Sequence, residues 1–171
     1  FLANVPAVGV GVYDVRPSSR PYRGRTELHI DPTQLENAFY RVSVNSDGDI
    51  AAIYDKQAKR DILARPVRLE FLRNTPREWP AWNMDWADRA MPPIGCVDGP
   101  ARIAVVENGP VRATLEVQRE ANNSVFVQRI SLTAGEGGKR IEVHNNVDWQ
   151  SSACVLKASF PLTVHNGTAA Y

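Results

Sequence analysis

Apolar and polar residues alternate along most of this chain, and turn residues interrupt the alternation every few positions. That pattern predicts β structure. The run V-G-V-G-V-Y-D-V from Val8 to Val15 puts Val8, Val10 and Val12 on one face and predicts a first strand. Glycine at alternate positions weakens a strand intrinsically, which points to an edge role or close backbone packing. Arg16 to Thr33 then carries Pro17, Pro21 and Pro32 amid Ser, Arg and Gly. It reads as a surface linker and divides an entering segment, residues 1–33, from a domain, residues 34–171.

From Leu35 a meander is expected. LENAFYRVSVN sets Phe39, Arg41 and Ser43 against Tyr40, Val42 and Val44, and Asn45-Ser46-Asp47-Gly48 supplies a turn into DIAAIYDK. Glycine tolerates the positive φ that a tight hairpin requires. Lys56 to Ala64 has room for one helical turn at most. Further strands are predicted at 66–73, 101–107, 111–119, 125–133, 139–147, 154–161 and 163–165, with polar turns at 107–110, 121–124 and 135–138. Between Asn74 and Gly99 lies a long irregular stretch with four prolines and three of the four tryptophans. Nine or ten strands at this spacing, with no amphipathic helix and no internal repeat, predict an all-β antiparallel sandwich.

The chain has 171 residues, enough for one domain with its own core, and 43% hydrophobic with 23% charged content is ordinary globular composition. A net charge of +1, spread over scattered Arg and Lys, gives no footprint for nucleic acid or an anionic membrane. No apolar stretch approaches the ~20 residues that span a bilayer. Cys96 and Cys154 are too few for a disulfide framework and fit no zinc spacing, so they read as small apolar residues, with one disulfide open in an oxidising compartment. Sparse cysteine agrees with the cytoplasm and equally admits the periplasm. With no initiator Met, a first phrase that reads as mid-protein, and Tyr171 closing on a strand-like run, both ends look cut.

The most unusual segment is TPREWPAWNMDWADR, Thr75 to Arg89. Trp79, Trp82 and Trp86 stand within eight positions beside Asn83, Asp85, Asp88 and Arg89. Aromatic faces stack on the C–H face of a sugar ring while Asp, Asn and Arg bind its hydroxyls, the mixture of platform and convergent polar groups that binding pockets use. The competing structural reading has the loop folding back to plug one end of the sandwich, anchored by Trp82 and Trp86. Composition leaves the two open. Asp85 and Asp88, three apart, fit the paired carboxylates of a glycosidase poorly, and a solvated or Arg-paired role is expected. Asp47 and Asp49 read as turn residues. His29, His144 and His165 are isolated from one another, no serine-nucleophile motif occurs, and the glycines of 135–138 open no helix. On its own residues the chain has no catalytic set and no metal site.

Taken in order, VPAVGVGVYDV (5–15), LENAFYRVSVNSDGDIAAIYDKQAKRDIL (35–63), EWPAWNMDWADR (78–89), GPARIAVVENGPVRATLEVQRE (99–120) and VDWQSSACVLKASFPLTVHNGTAAY (147–171) resemble the region after the catalytic barrel in glycoside hydrolase family 38 α-mannosidases. The LEN…IYDK stretch and the tryptophan loop in register carry most of the likeness. The resemblance implies a segment of the C-terminal β portion, related to the galactose-mutarotase supersandwich and incomplete here. It implies a partner, the protein's own N-terminal barrel, holding zinc on His and Asp residues and an aspartate nucleophile, and a retaining hydrolysis of terminal α-mannosides. No barrel motif is matched in this sequence, so no catalytic residue or metal ligand is carried over. Residues 1–33 then read as the connector and 34–171 as the first part of the supersandwich.

In that setting Trp82, Asn83, Asp85 and Trp86 are expected to line the cleft for a mannose-containing oligosaccharide, or the interface beside it, in a chain inactive alone. Two other readings compete. One is a free-standing carbohydrate-binding sandwich using the tryptophan loop. The other is a mutarotase-like epimerase, which needs an acid–base pair such as His144 or His165 with Asp85.

Overall fold

The computed structural model describes residues 1–20, 26–164 and 166. Its strands are β1 (His29–Asp31), β2 (Gln34–Glu36), β3 (Tyr40–Val44), β4 (Ile50–Asp55), β5 (Arg60–Asp61), β6 (Arg68–Arg73), β7 (Gly95–Cys96), β8 (Arg102–Asn108), β9 (Arg112–Ala121), β10 (Ser124–Thr133), β11 (Glu142–Asp148) and β12 (Cys154–Ser159). Among the described residues there is one α-helical turn, α1 (Trp86–Arg89), and a 3-10 turn spans Glu136–Gly138. Among the described residues all strand pairs are antiparallel and form three sheets, in the orders β1-β2-β3-β4-β5, β11-β10-β9-β8 and β12-β6-β7.

The architecture is an incomplete antiparallel β-sandwich. Leu35, Val42, Val44, Ile50 and Ile53 of the five-stranded sheet face Ala113, Leu115, Val117, Ile130 and Leu132 of the four-stranded sheet across one core. These are the inward members of the alternation, as a pleat of period two requires. A single Ile50–Val67 bridge carries the five-stranded layer on into β6. There a smaller cluster of Leu69, Phe71 and Val97 closes on Phe126 of β10. Phe71 also meets the ring of Trp149 at 6.1 Å.

Local chemistry sets the turns. Gly48 has φ +79°, and a Cβ there would lie 2.4 Å from Val117 Cγ1, so glycine both makes the hairpin and lets it lie on the opposite sheet. Asn122 and Asn123 both have positive φ, the mirror-image turn that suits a two-residue hairpin. In the β1–β2 turn, Asp31 Oδ1 accepts the Thr33 amide and hydroxyl, both at 2.7 Å, which holds its carboxyl below the usual range.

The phrase LEN…IYDK is physically one unit. Leu35 is fully buried, and Asn37, 1% exposed, donates Nδ2 to Thr133 O (3.0 Å) and Gly138 O (2.9 Å) across the sandwich. Its Oδ1 accepts the amides of Phe39 and Tyr40. Lys56 Nζ, from the end of IYDK, pairs with Glu36 at 2.7 Å and donates to Asn37 O at 2.5 Å.

The expected strand at Val8–Val15 does not form. Val8, Val10 and Val12 are 96%, 87% and 94% exposed, and residues 1–20 pair with no sheet strand. Alternation prepares one face for burial, but no partner strand is placed against it. The segment instead curls on itself, with the Tyr13 hydroxyl donating to Asn4 O and its ring 5.0 Å from Phe1. Of the strand expected at 163–165, Thr163 and Val164 lie in no strand, just after an isolated Leu63–Leu162 bridge, and His165 lies outside the described residues. The strand expected from Lys139 begins at Glu142, after the 3-10 turn.

Candidate functional site: an exposed tryptophan loop

Residues 74–94 leave the sheet at the end of β6 and return to β7. The neck is anchored by Asn74 N–H donating to Ala153 O (3.0 Å) and Ile94 N–H donating to Phe71 O (2.8 Å). At the tip Trp79 has φ +57°, a left-handed conformation that a bulky residue adopts only under constraint. Its carbonyl accepts the amides of Trp82 and Asn83, both at 2.8 Å, closing a tight turn. Asn83 Nδ2 donates back to Glu78 O at 3.2 Å.

The loop does not plug the sandwich. Trp79, Trp82 and Trp86 are 66%, 85% and 75% exposed, and Met91 and Ile94 are also more than half exposed. Five large apolar side chains left this open on one loop are unusual for a protein surface. Trp82, Asn83, Asp85 and Trp86 fall together on the turn at 79–83 and on α1 just beyond it. Asp85 and Asp88 are neither Arg-paired nor simply solvated. Asp85 Oδ2 accepts the Arg77 amide at 3.2 Å, and Asp88 Oδ2 accepts the Thr75 amide at 2.6 Å and its hydroxyl at 3.0 Å.

Among the described residues no group of three or more His, Cys, Asp and Glu side chains is placed to hold a metal ion. Asp85 and Asp88 in the loop each spend one carboxylate oxygen on a backbone amide. His144 lies on β11 opposite Arg129, away from the loop in sequence and strand order. Cys96 on β7 and Cys154 on β12 are free thiols on opposite sides of β6. Burial, and then the nearby Asp98 carboxylate, push the Cys96 thiol pKa up. No helix among the described residues is long and apolar enough to cross a membrane.

A second polar constellation was hidden from sequence reasoning. Asp49, expected to be a turn residue, is 5% exposed and accepts Arg119 Nη1 at 2.6 Å. Arg119 is 2% exposed and also donates to Asp47 O, Val97 O and Gln128 Oε1. The only sequence signal was the arginine on the inward phase of β9, alternating with Ala113, Leu115 and Val117. Arg68 adds a half-exposed guanidinium 3.3 Å from the other Asp49 oxygen. A pocket of about 270 Å³ lined in part by Ile50, Leu69, Gln128 and Phe160 adjoins this network. Its polar groups are mostly satisfied by one another, so the arrangement ties the two layers together.

Residues 35–171 match the family model described as the glycosyl hydrolases family 38 C-terminal domain. The chain is also similar to alpha-mannosidase G of Dictyostelium discoideum, 23% identical over 147 residues, which cover 80% of this chain and 13% of that protein. It therefore spans a small part of the relative's length.

Proposed function

Since this chain belongs to glycosyl hydrolase family 38, as part of its C-terminal domain, we propose that it serves a retaining α-mannosidase as scaffold and as one wall of the sugar cleft. The reaction is hydrolysis of terminal α-mannosides, performed by a catalytic barrel to which residues 1–33 act as connector. Residues 34–171 are the first part of the supersandwich, which β1 joins by pairing with β2. The zinc that the resemblance implies belongs to that barrel, and the chain by itself is inactive.

The observation that carries this reading is the exposure of three tryptophans on a hydrogen-bonded loop. Trp82 and Trp86 offer ring faces for the apolar side of a mannose unit. Asn83 and the second oxygen of Asp85 supply groups for its hydroxyls. Burying an aromatic anchor in a complex is commonly worth about 2 kcal/mol or more, or roughly thirtyfold in affinity. Replacing Trp82 by alanine in the full-length protein should therefore lower kcat/KM toward an α-mannoside by that order, at unchanged melting temperature, and Asp85→Ala should lower it too. Unchanged affinity and rate with unchanged stability would refute the reading. Titrating the 171-residue chain with mannose oligosaccharides separates the alternative: tight binding by the chain alone favours a free-standing carbohydrate-binding module.

A further inference from the structure

No residue between Arg73 and Cys96 is buried. Hydrophobic packing therefore contributes little to the shape of the tryptophan loop, which leaves most of that task to polar bonds. The outgoing limb, 75–77, and the returning limb, 85–88, are joined by two carboxylates. Asp85 occupies the N-cap position of α1 yet makes no capping bond with its side chain; it reaches back to the Arg77 amide instead. Asp88, in the first turn of α1, gathers both the amide and the hydroxyl of Thr75 on one oxygen. Asp88 makes two bonds, at 2.6 and 3.0 Å, where Asp85 makes one at 3.2 Å, so the Asp88–Thr75 pair is the firmer of the two stitches.

We propose that Asp88 is a positioning residue for the tryptophan platform. By holding Thr75 it fixes the spacing of the limbs that carry Trp79 and Trp82 on one side and Trp86 on the other. It does this without itself contacting the sugar. The inference rests on the reading of the loop as a cleft wall, and it adds a residue that would escape a search for sugar ligands.

The test uses the full-length protein in three variants. Asp88→Ala removes both bonds, Asp88→Asn keeps an oxygen acceptor of the same reach, and Trp82→Ala removes a platform without touching the clasp. Hydrogen exchange of the segment 75–90 is followed without sugar, and KM and kcat are measured with an α-mannoside. Asp88→Ala is expected to speed exchange of the segment about tenfold or more, reporting local opening. It should also raise KM about tenfold with kcat nearly unchanged, and Asp88→Asn should recover most of both effects. Unchanged exchange in Asp88→Ala overturns the clasp. Faster exchange with KM unchanged, while Trp82→Ala does impair the enzyme, overturns the positioning role but leaves the platform standing. If Trp82→Ala has no effect on kinetics while Asp88→Ala still speeds exchange, the cleft-wall reading fails and the positioning role fails with it, though the clasp itself survives as local structure.

Discussion

Replacing Asn37 by alanine removes four hydrogen bonds at once, two donated by Nδ2 to Thr133 O and Gly138 O and two accepted by Oδ1 from Phe39 and Tyr40. The side chain is 1% exposed, so water does not readily replace it. A net value of about 1 kcal/mol per bond gives a loss of about 4 kcal/mol, a large share of the ~5–15 kcal/mol that holds a domain together. Glycine at 138 belongs to the same arrangement, because a Cβ there would lie 2.6 Å from Asn37 Nδ2 and 2.3 Å from Thr133 O. The sharper variant is Asn37→Asp, which keeps the shape but turns a carboxylate oxygen toward two carbonyls. That raises the aspartate's pKa in the folded state above the unfolded value of about 3.9. The penalty is then full above the folded pKa and shrinks as pH falls through it, since protonation restores one donor. Urea unfolding of the chain at about pH 8 and about pH 5, followed by tryptophan fluorescence, reads both effects. A loss under about 1 kcal/mol for Asn37→Ala, or an Asn37→Asp penalty that does not ease at the lower pH, would refute the assignment.

Further outcomes are expected elsewhere. Arg119→Met strands the Asp49 carboxylate with only the half-exposed Arg68 beside it, and should cost about 3–5 kcal/mol of stability; Asp49→Asn in the same background should recover part of it, and a loss of under about 1 kcal/mol contradicts the network. Glu107 is held below the usual glutamate range first by its hydrogen bond from Arg112. Its stabilisation is whole above the unfolded pKa of about 4.3 and lost as pH falls through the lower folded value. Both partners are more than a third exposed, so Glu107→Gln should cost less than about 1 kcal/mol at neutral pH and nothing in strong acid; a difference independent of pH argues against it. Cys96, with its thiol pKa raised by burial, should alkylate more slowly than a thiol of the unfolded chain, whereas equal rates would contradict this.

Much of the fold was legible because a pleated strand writes its burial into every second residue. Val42 and Val44, then Leu115 and Val117, are inward on that rule alone, and Gly48 marks its hairpin by the φ it must adopt. The same rule failed at Val8–Val15, since alternation records a face ready for burial and says nothing of whether a partner strand is there. The tryptophan loop was legible as unusual by composition, but exposure against plugging is a tertiary fact. Asp85 and Asp88 looked like solvated or Arg-paired carboxylates because sequence shows which groups carry charge, not which amides lie within reach. Asp49 was hidden for the same reason: its partner Arg119 is seventy residues away. Asn37 sits inside the most recognisable phrase of the chain, and the cross-sandwich bonds give a physical reason for that phrase.

The central claim is that the tryptophan loop faces sugar. Oxidative footprinting of the full-length protein, with and without a mannose oligosaccharide, measures this at Trp82 and Trp86 directly. Both rings are expected to be reactive in the free protein and protected when the sugar is bound, with Trp149, packed on Phe71, unchanged. Rings already protected without sugar, or equally reactive with it, would contradict a role in the cleft.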